Sequence, residues 1–211
     1  MLSEKVVNTL SSAFRLNNNT VINALSGYSN IDKVLRARLR GRRLWGALSP
    51  EKRPILYTII KLLKPKIAME TGVGAGVSSA VILSTLNELN DGLLYSIEIS
   101  NYYDENYPVG FIVPEELKGR WRLLIGSSRE LLEKTLMQLG DVQFFLHDSD
   151  HSYDNVLFEL RMVWRFMKHG IILIDNYRFS NAAVQFAKEV NAPLIGLSSE
   201  AGGLAMILKG F

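Results

Sequence analysis

Residues 67–83 read IAMETGVGAGVSSAVIL. An apolar run ends in Glu70, three glycines follow at Gly72, Gly74 and Gly76, and helical composition resumes at Val77. Alternate glycines let a backbone turn sharply and let a ligand approach it closely, because no Cβ stands in the way. A strand that feeds such a turn, which in turn opens a helix, presents backbone N–H groups at a helix N-terminus. This stretch restricts the chain to an α/β architecture built around a central parallel strand.

The downstream sequence repeats the pattern. Strands are expected at 93–99 (LLYSIEI), 121–125, 142–146 and 171–174, separated by helical stretches at 77–89, 129–139, 155–168 and 181–190. Two final strands, 192–197 and 204–208, flank Gly202-Gly203, and so short a link implies an antiparallel hairpin at the sheet edge. Upstream, Pro54 suits the first turn of a helix over 55–63 that Pro65 ends. Residues 1–50 read as two or three helices, with Val6, Val7, Leu10 and Phe14 at helical spacing and Thr20 as an N-cap. The division expected is a helical cap or substrate segment over 1–53 and a ligand-binding domain over 54–211.

Composition narrows the chemistry. Without cysteine there is no disulfide, thiolate nucleophile or cysteine metal site. The net charge of +3 is too small to argue for nucleic acid. Arg36, Arg38, Arg40, Arg42 and Arg43 crowd one segment with Lys33, but a solvated helix face with Leu35, Leu39 and Leu44 turned inward is favoured over an RNA patch. Neither a signal peptide nor an apolar run of membrane-spanning length is present, so a soluble, cytoplasmic protein is expected.

Chemistry-bearing residues collect at the expected strand ends. Glu98 lies 22 positions past Gly76 at the end of the second strand, where an acid hydrogen-bonds ribose hydroxyls in nucleotide-binding α/β folds. Ser127 and Ser128 follow the third strand and suit a helix cap equally well. After the fourth strand, His147-Asp148-Ser149-Asp150-His151 places four ionisable groups in five residues, too many for a core. Asp150 and Ser152 also suit capping of the next helix. Asp175-Asn176 follows the fifth strand, where a turn is the competing explanation. Tyr102, Tyr103, Tyr107 and Phe111 make the 101–114 loop either a substrate wall or a packing layer.

Together these pieces resemble the class I S-adenosylmethionine-dependent methyltransferases over 54–211. The resemblance implies a Rossmann-like fold: a seven-stranded, mostly parallel sheet with a C-terminal antiparallel hairpin and helices on both faces. It implies cofactor contacts from Glu70, Gly72, Gly74, Gly76, Ser78, Glu98, Ser127 and Asp148. FLHDSDHSY at 145–153 is similar to the D-x-D-H-S-Y signature of a methyltransferase subgroup, and to metal-dependent O-methyltransferases acting on catechols. That similarity implies magnesium or another divalent cation held by Asp148, Asp175 and Asn176, and oxygen donors at adjacent strand ends suit a hard ion. The catechol enzymes carry a lysine base where this chain has His151, and a histidine of near-neutral pKa can serve as base. His151 and Asp148 are therefore the catalytic candidates, with base, ligand and structural roles open for His151. The expected reaction is O-methylation of a small molecule, without nucleic acid or membrane as partner; a homodimer stays open. A nicotinamide-dependent oxidoreductase is the weaker rival, since G-x-G-x-G departs from the usual G-x-G-x-x-G. A non-catalytic, RNA-associated module is the other.

Overall fold

The computed structural model describes residues 2–42, 44–200 and 202–211; Met1, Arg43 and Ala201 lie outside the described residues, and Arg43's place in the arginine segment lies outside with it. Seven strands form one sheet: β1 Ile67–Thr71, β2 Leu93–Glu98, β3 Trp121–Ile125, β4 Phe144–His147, β5 Gly170–Asp175, β6 Ile195–Ser198 and β7 Leu204–Lys209. Their order is β3-β2-β1-β4-β5-β7-β6. The first five run parallel, and β7 pairs antiparallel with both β5 and β6.

The central strands read as nearly continuous apolar runs because both faces of the sheet are covered. Alternation then sorts their side chains into two cores. Ala68, Phe144, Leu146, Ile171 and Leu173 join the core beneath the N-terminal helices, whereas Met69, Phe145, Ile172 and Ile174 join the opposite one. On the first face lie α1 Glu4–Phe14, α2 Asn18–Ala24, α3 Tyr28–Leu39, α4 Lys52–Leu63 and α5 Val77–Glu88; on the second lie α6 Ser128–Leu139, α7 Tyr153–Phe166 and α8 Ala182–Glu189. Among the described residues no helix is long and apolar enough to cross a membrane.

Several boundaries differ from the sequence expectation. The N-cap of α2 is Asn17, whose Oδ1 accepts from Thr20 N at 2.9 Å, so Thr20 sits inside the helix. Helix α4 starts at Lys52 rather than 55, and β4 runs on to include His147. Ser152 holds the N-cap position of α7, but its hydroxyl turns back to Asp150 Oδ2 at 2.7 Å instead of capping. The arginine segment is partly structural. Arg38 donates from Nε to Ile112 O at 2.5 Å and from Nη2 to Val113 O at 3.2 Å, while Arg36 pairs with Asp32.

Candidate active site

The chain winds outward from β1 in one direction to β2 and β3, and in the other to β4 and β5. The reversal falls between β1 and β4, and in open α/β sheets the ligand crevice lies outside the carboxyl ends of the strands at such a switch. The ends of β1, β2, β4 and β5 there bring together the glycine turn, Glu98, Asp148, His151, Asp175 and Asn176.

Glycine is required in the turn for two separate reasons. Gly72 has φ +82°, and a Cβ on it would lie 2.1 Å from Asp148 O, so β1 and β4 approach too closely there for any side chain. Gly76, at φ +89°, would drive a Cβ to 2.7 Å from Gly110 Cα, because the 101–114 loop is bonded to the turn. Gly110 N donates to Gly74 O at 2.9 Å and Ile112 N to Ala75 O at 3.0 Å. The loop's aromatics pack as well as face outward: Tyr107 stacks on Phe111 at 4.4 Å, whereas Tyr102 is exposed.

Glu98 braces the same turn. Its Oε2 accepts from Val73 N at 2.8 Å and Gly74 N at 2.9 Å, and its Oε1 from Ile99 N at 2.8 Å. Glu70 lies underneath, fully buried, accepting from the hydroxyls of Ser78, Ser79 and Ser96. Burial pushes its carboxyl up to about 7 against the opposing serine bonds, with Glu98 adding to the rise. Neither Glu70 nor Ser78 faces the crevice: the serine hydroxyl is committed to the buried carboxylate, and both shape the turn from below. Ser127 is the N-cap of α6 in a reciprocal capping box with Glu130, its hydroxyl 2.8 Å from Glu130 Oε2.

At the end of β4 a chain of polar groups runs from the core outward. Glu159 Oε2 is 2.7 Å from His147 Nδ1, both completely buried; His147 Nε2 is 3.4 Å from His151 Nδ1; and His151 Nε2 is 2.9 Å from Asn176 Nδ2. One tautomer pattern satisfies every link: each imidazole donates from Nδ1 toward Glu159, and Asn176 donates to His151 Nε2. Thr71, Ser149 and Asn155 complete the coordination of Glu159. Burial, then the neighbouring His147, holds the His151 pKa below its ordinary 6.5. At neutral pH His151 is accordingly an uncharged imidazole whose Nε2 lone pair accepts from the Asn176 amide.

The expected metal ligands meet, but they do not fit a divalent ion. Lys52 Nζ stands 2.7 Å from Asp175 Oδ1, with both side chains buried. Asp148 stands beside Asp175 at the end of the neighbouring strand, and burial followed by the Asp175 charge raises its carboxyl well above 3.8. Asn176 bonds His151 Nε2 through its amide nitrogen. A hard cation needs several convergent oxygens, whereas an ammonium already neutralises this pair. Among the described residues no cluster of three or more His, Cys, Asp or Glu side chains is arranged to hold a metal.

Sequence reasoning overlooked Lys52 and Glu159. Lys52 and Arg53 both sit in the first turn of α4, where the helix dipole disfavours cations, and that misplacement was the available signal. Glu159 looks like any helix-face acid until the fold brings His147 against it.

A family model described as a methyltransferase domain matches residues 69–177, just over half of the chain. The chain belongs to this methyltransferase family. The matched span runs from β1 through the first residues after β5, so it contains the glycine turn and both clusters at the strand ends. Among curated relatives, a Mycolicibacterium vanbaalenii protein named "Putative O-methyltransferase" is 31% identical over 99 residues, 47% of this chain and 43% of the relative. A Mycobacteroides abscessus protein of the same name is 30% identical over 115 residues, covering 54% and 53%. The matches thus span about half of the relatives' own length. Among solved structures, the Streptomyces achromogenes O-methyltransferase TomG in complex with SAM has a TM-score of 0.61 at 17% identity, covering 85% of this chain and 89% of that one. The O-methyltransferase NovP gives 0.64 at 13%, covering 86% and 98%. At such identities the likeness establishes the class I methyltransferase fold alone.

Proposed function

We propose that the chain transfers a methyl group from S-adenosylmethionine to an oxygen of a small-molecule acceptor. The observation that carries this reading is the convergence, at one switch point, of a glycine turn, a carboxylate at the end of β2 and an uncharged histidine beyond β4. The relatives' names support oxygen as the acceptor atom.

The Gly72–Gly76 turn and the start of α5 suit the cofactor's amino-acid and ribose portions, with Glu98 taking the ribose hydroxyls. Ser127 and Asp148 lie at the neighbouring strand ends and complete the cradle. The bound cofactor supplies an electrophilic methyl on a sulfonium. The protein's work is then to place an acceptor oxygen in line with it and remove the hydroxyl proton. His151 Nε2 takes that proton once an acceptor hydroxyl displaces Asn176, and His147 with Glu159 fixes the ring in the productive tautomer. The test is calorimetric titration with S-adenosylmethionine. Micromolar binding that is lost in Glu98→Ala supports the assignment; no binding by the intact chain refutes it.

A further inference from the structure

The cation position of the crevice is filled by the chain itself. Lys52 comes from the first turn of α4, far in sequence from β5, yet its ammonium is 2.7 Å from Asp175 Oδ1. Lys52 is 2% exposed and Asp175 4%. Asp148 stands beside Asp175 at the end of the adjacent strand, so one positive charge faces two neighbouring carboxyls. A buried pair in which one partner is removed leaves an uncompensated charge, and an ammonium is a compact point charge able to sit where a small cation would.

We propose that Lys52 takes the place of a divalent cation in this site, making the methyltransferase metal-independent, and that its removal uncovers a latent metal site at Asp148 and Asp175. The inference rests on the methyltransferase reading only for its consequence in catalysis. With no ion to chelate two oxygens, the acceptor class is a molecule presenting one acidic hydroxyl to His151 rather than a vicinal dihydroxy pair. Lys52 acts as a positioning residue, holding Asp175 and Asp148 in register.

The test is a titration with Mn2+ alone, read by electron paramagnetic resonance and by thermal melting, without cofactor or acceptor. Wild type melts at the same temperature in EDTA and in Mn2+. Lys52→Met melts lower in EDTA, recovers several degrees in Mn2+, and binds one Mn2+ at least about tenfold more tightly than wild type, because binding only to the folded state raises its stability. Adding Asp175→Asn abolishes the recovery, and Lys52→Arg stays indifferent to metal. A lysine that merely packs would lower stability without creating metal dependence. Stoichiometric Mn2+ binding by wild type that Asp175→Asn removes would overturn the proposal, as would a folded Lys52→Met or Lys52→Gln that gains no affinity. If Lys52→Met does not fold, Lys52→Gln repeats the arm and wild type decides on its own melting response. None of these readouts involves S-adenosylmethionine, so a failure of the methyltransferase reading shows separately, in the calorimetry.

Discussion

Glu70 gives the sharpest physical test of the turn. Its carboxyl is fully buried beneath Gly72–Gly76 and is pushed from 4.5 to about 7. In the unfolded chain the same group releases its proton near 4.5. Between these values the unfolded state binds fewer protons than the native state, so stability falls as pH rises. A shift of this size, at about 1.4 kcal/mol per pKa unit, makes the loss on the order of 2–3 kcal/mol between about pH 5 and 8. Glu70→Gln keeps the shape and lets the three serine hydroxyls rotate to new partners, but it removes the titration. Urea unfolding of both proteins across that range should give a stability difference that grows with pH in favour of the variant, by about 2 kcal/mol in total. Parallel profiles for the two proteins would refute the argument, because the carboxyl would then titrate alike in the folded and unfolded states.

Three further outcomes are expected. Gly72→Ala combines a left-handed backbone with a Cβ 2.1 Å from Asp148 O; it should destabilise by more than the 1–3 kcal/mol typical of backbone strain alone and abolish cofactor binding by calorimetry. His151→Ala should lower kcat by about 10²- to 10⁴-fold while leaving S-adenosylmethionine affinity within about twofold. Because the His151 pKa is held below 6.5, wild-type activity should rise with pH through an inflection below that value and be flat at neutral pH, and the variant should lose the inflection. Arg38→Met removes the bonds to Ile112 and Val113 carbonyls; hydrogen exchange should show faster opening of 110–113 with the sheet unaffected.

Much of the sheet was legible because fully buried parallel strands leave dense apolar runs, and β3 was read to the residue at Trp121–Ile125. The glycine turn was legible because its geometry excludes other residues. Helix starts were less so: three consecutive asparagines at 17–19 hid which one caps α2, and α4 begins with two buried cations that local rules would place elsewhere. In the site, the resemblance to metal-dependent O-methyltransferases brought Asp148, Asp175 and Asn176 to one place but could not show what charge faces them. That charge comes from a helix more than a hundred residues away. Likewise, Glu159 became part of the histidine relay only when α7 packed against β4 and buried both partners.

The hydrogen bonds from Arg38 to the 111–113 carbonyls, and from Gly110 and Ile112 to the turn, form an unbroken path from α3 to the glycine backbone. This makes α3 a splint on the loop that braces the glycine turn. Coupling between two such places is reciprocal in free energy: whatever immobilises the turn also steadies α3, and whatever frees α3 loosens the turn. Variation in the N-terminal helices would thereby retune how firmly the crevice grips its ligand while every residue that touches that ligand stays the same.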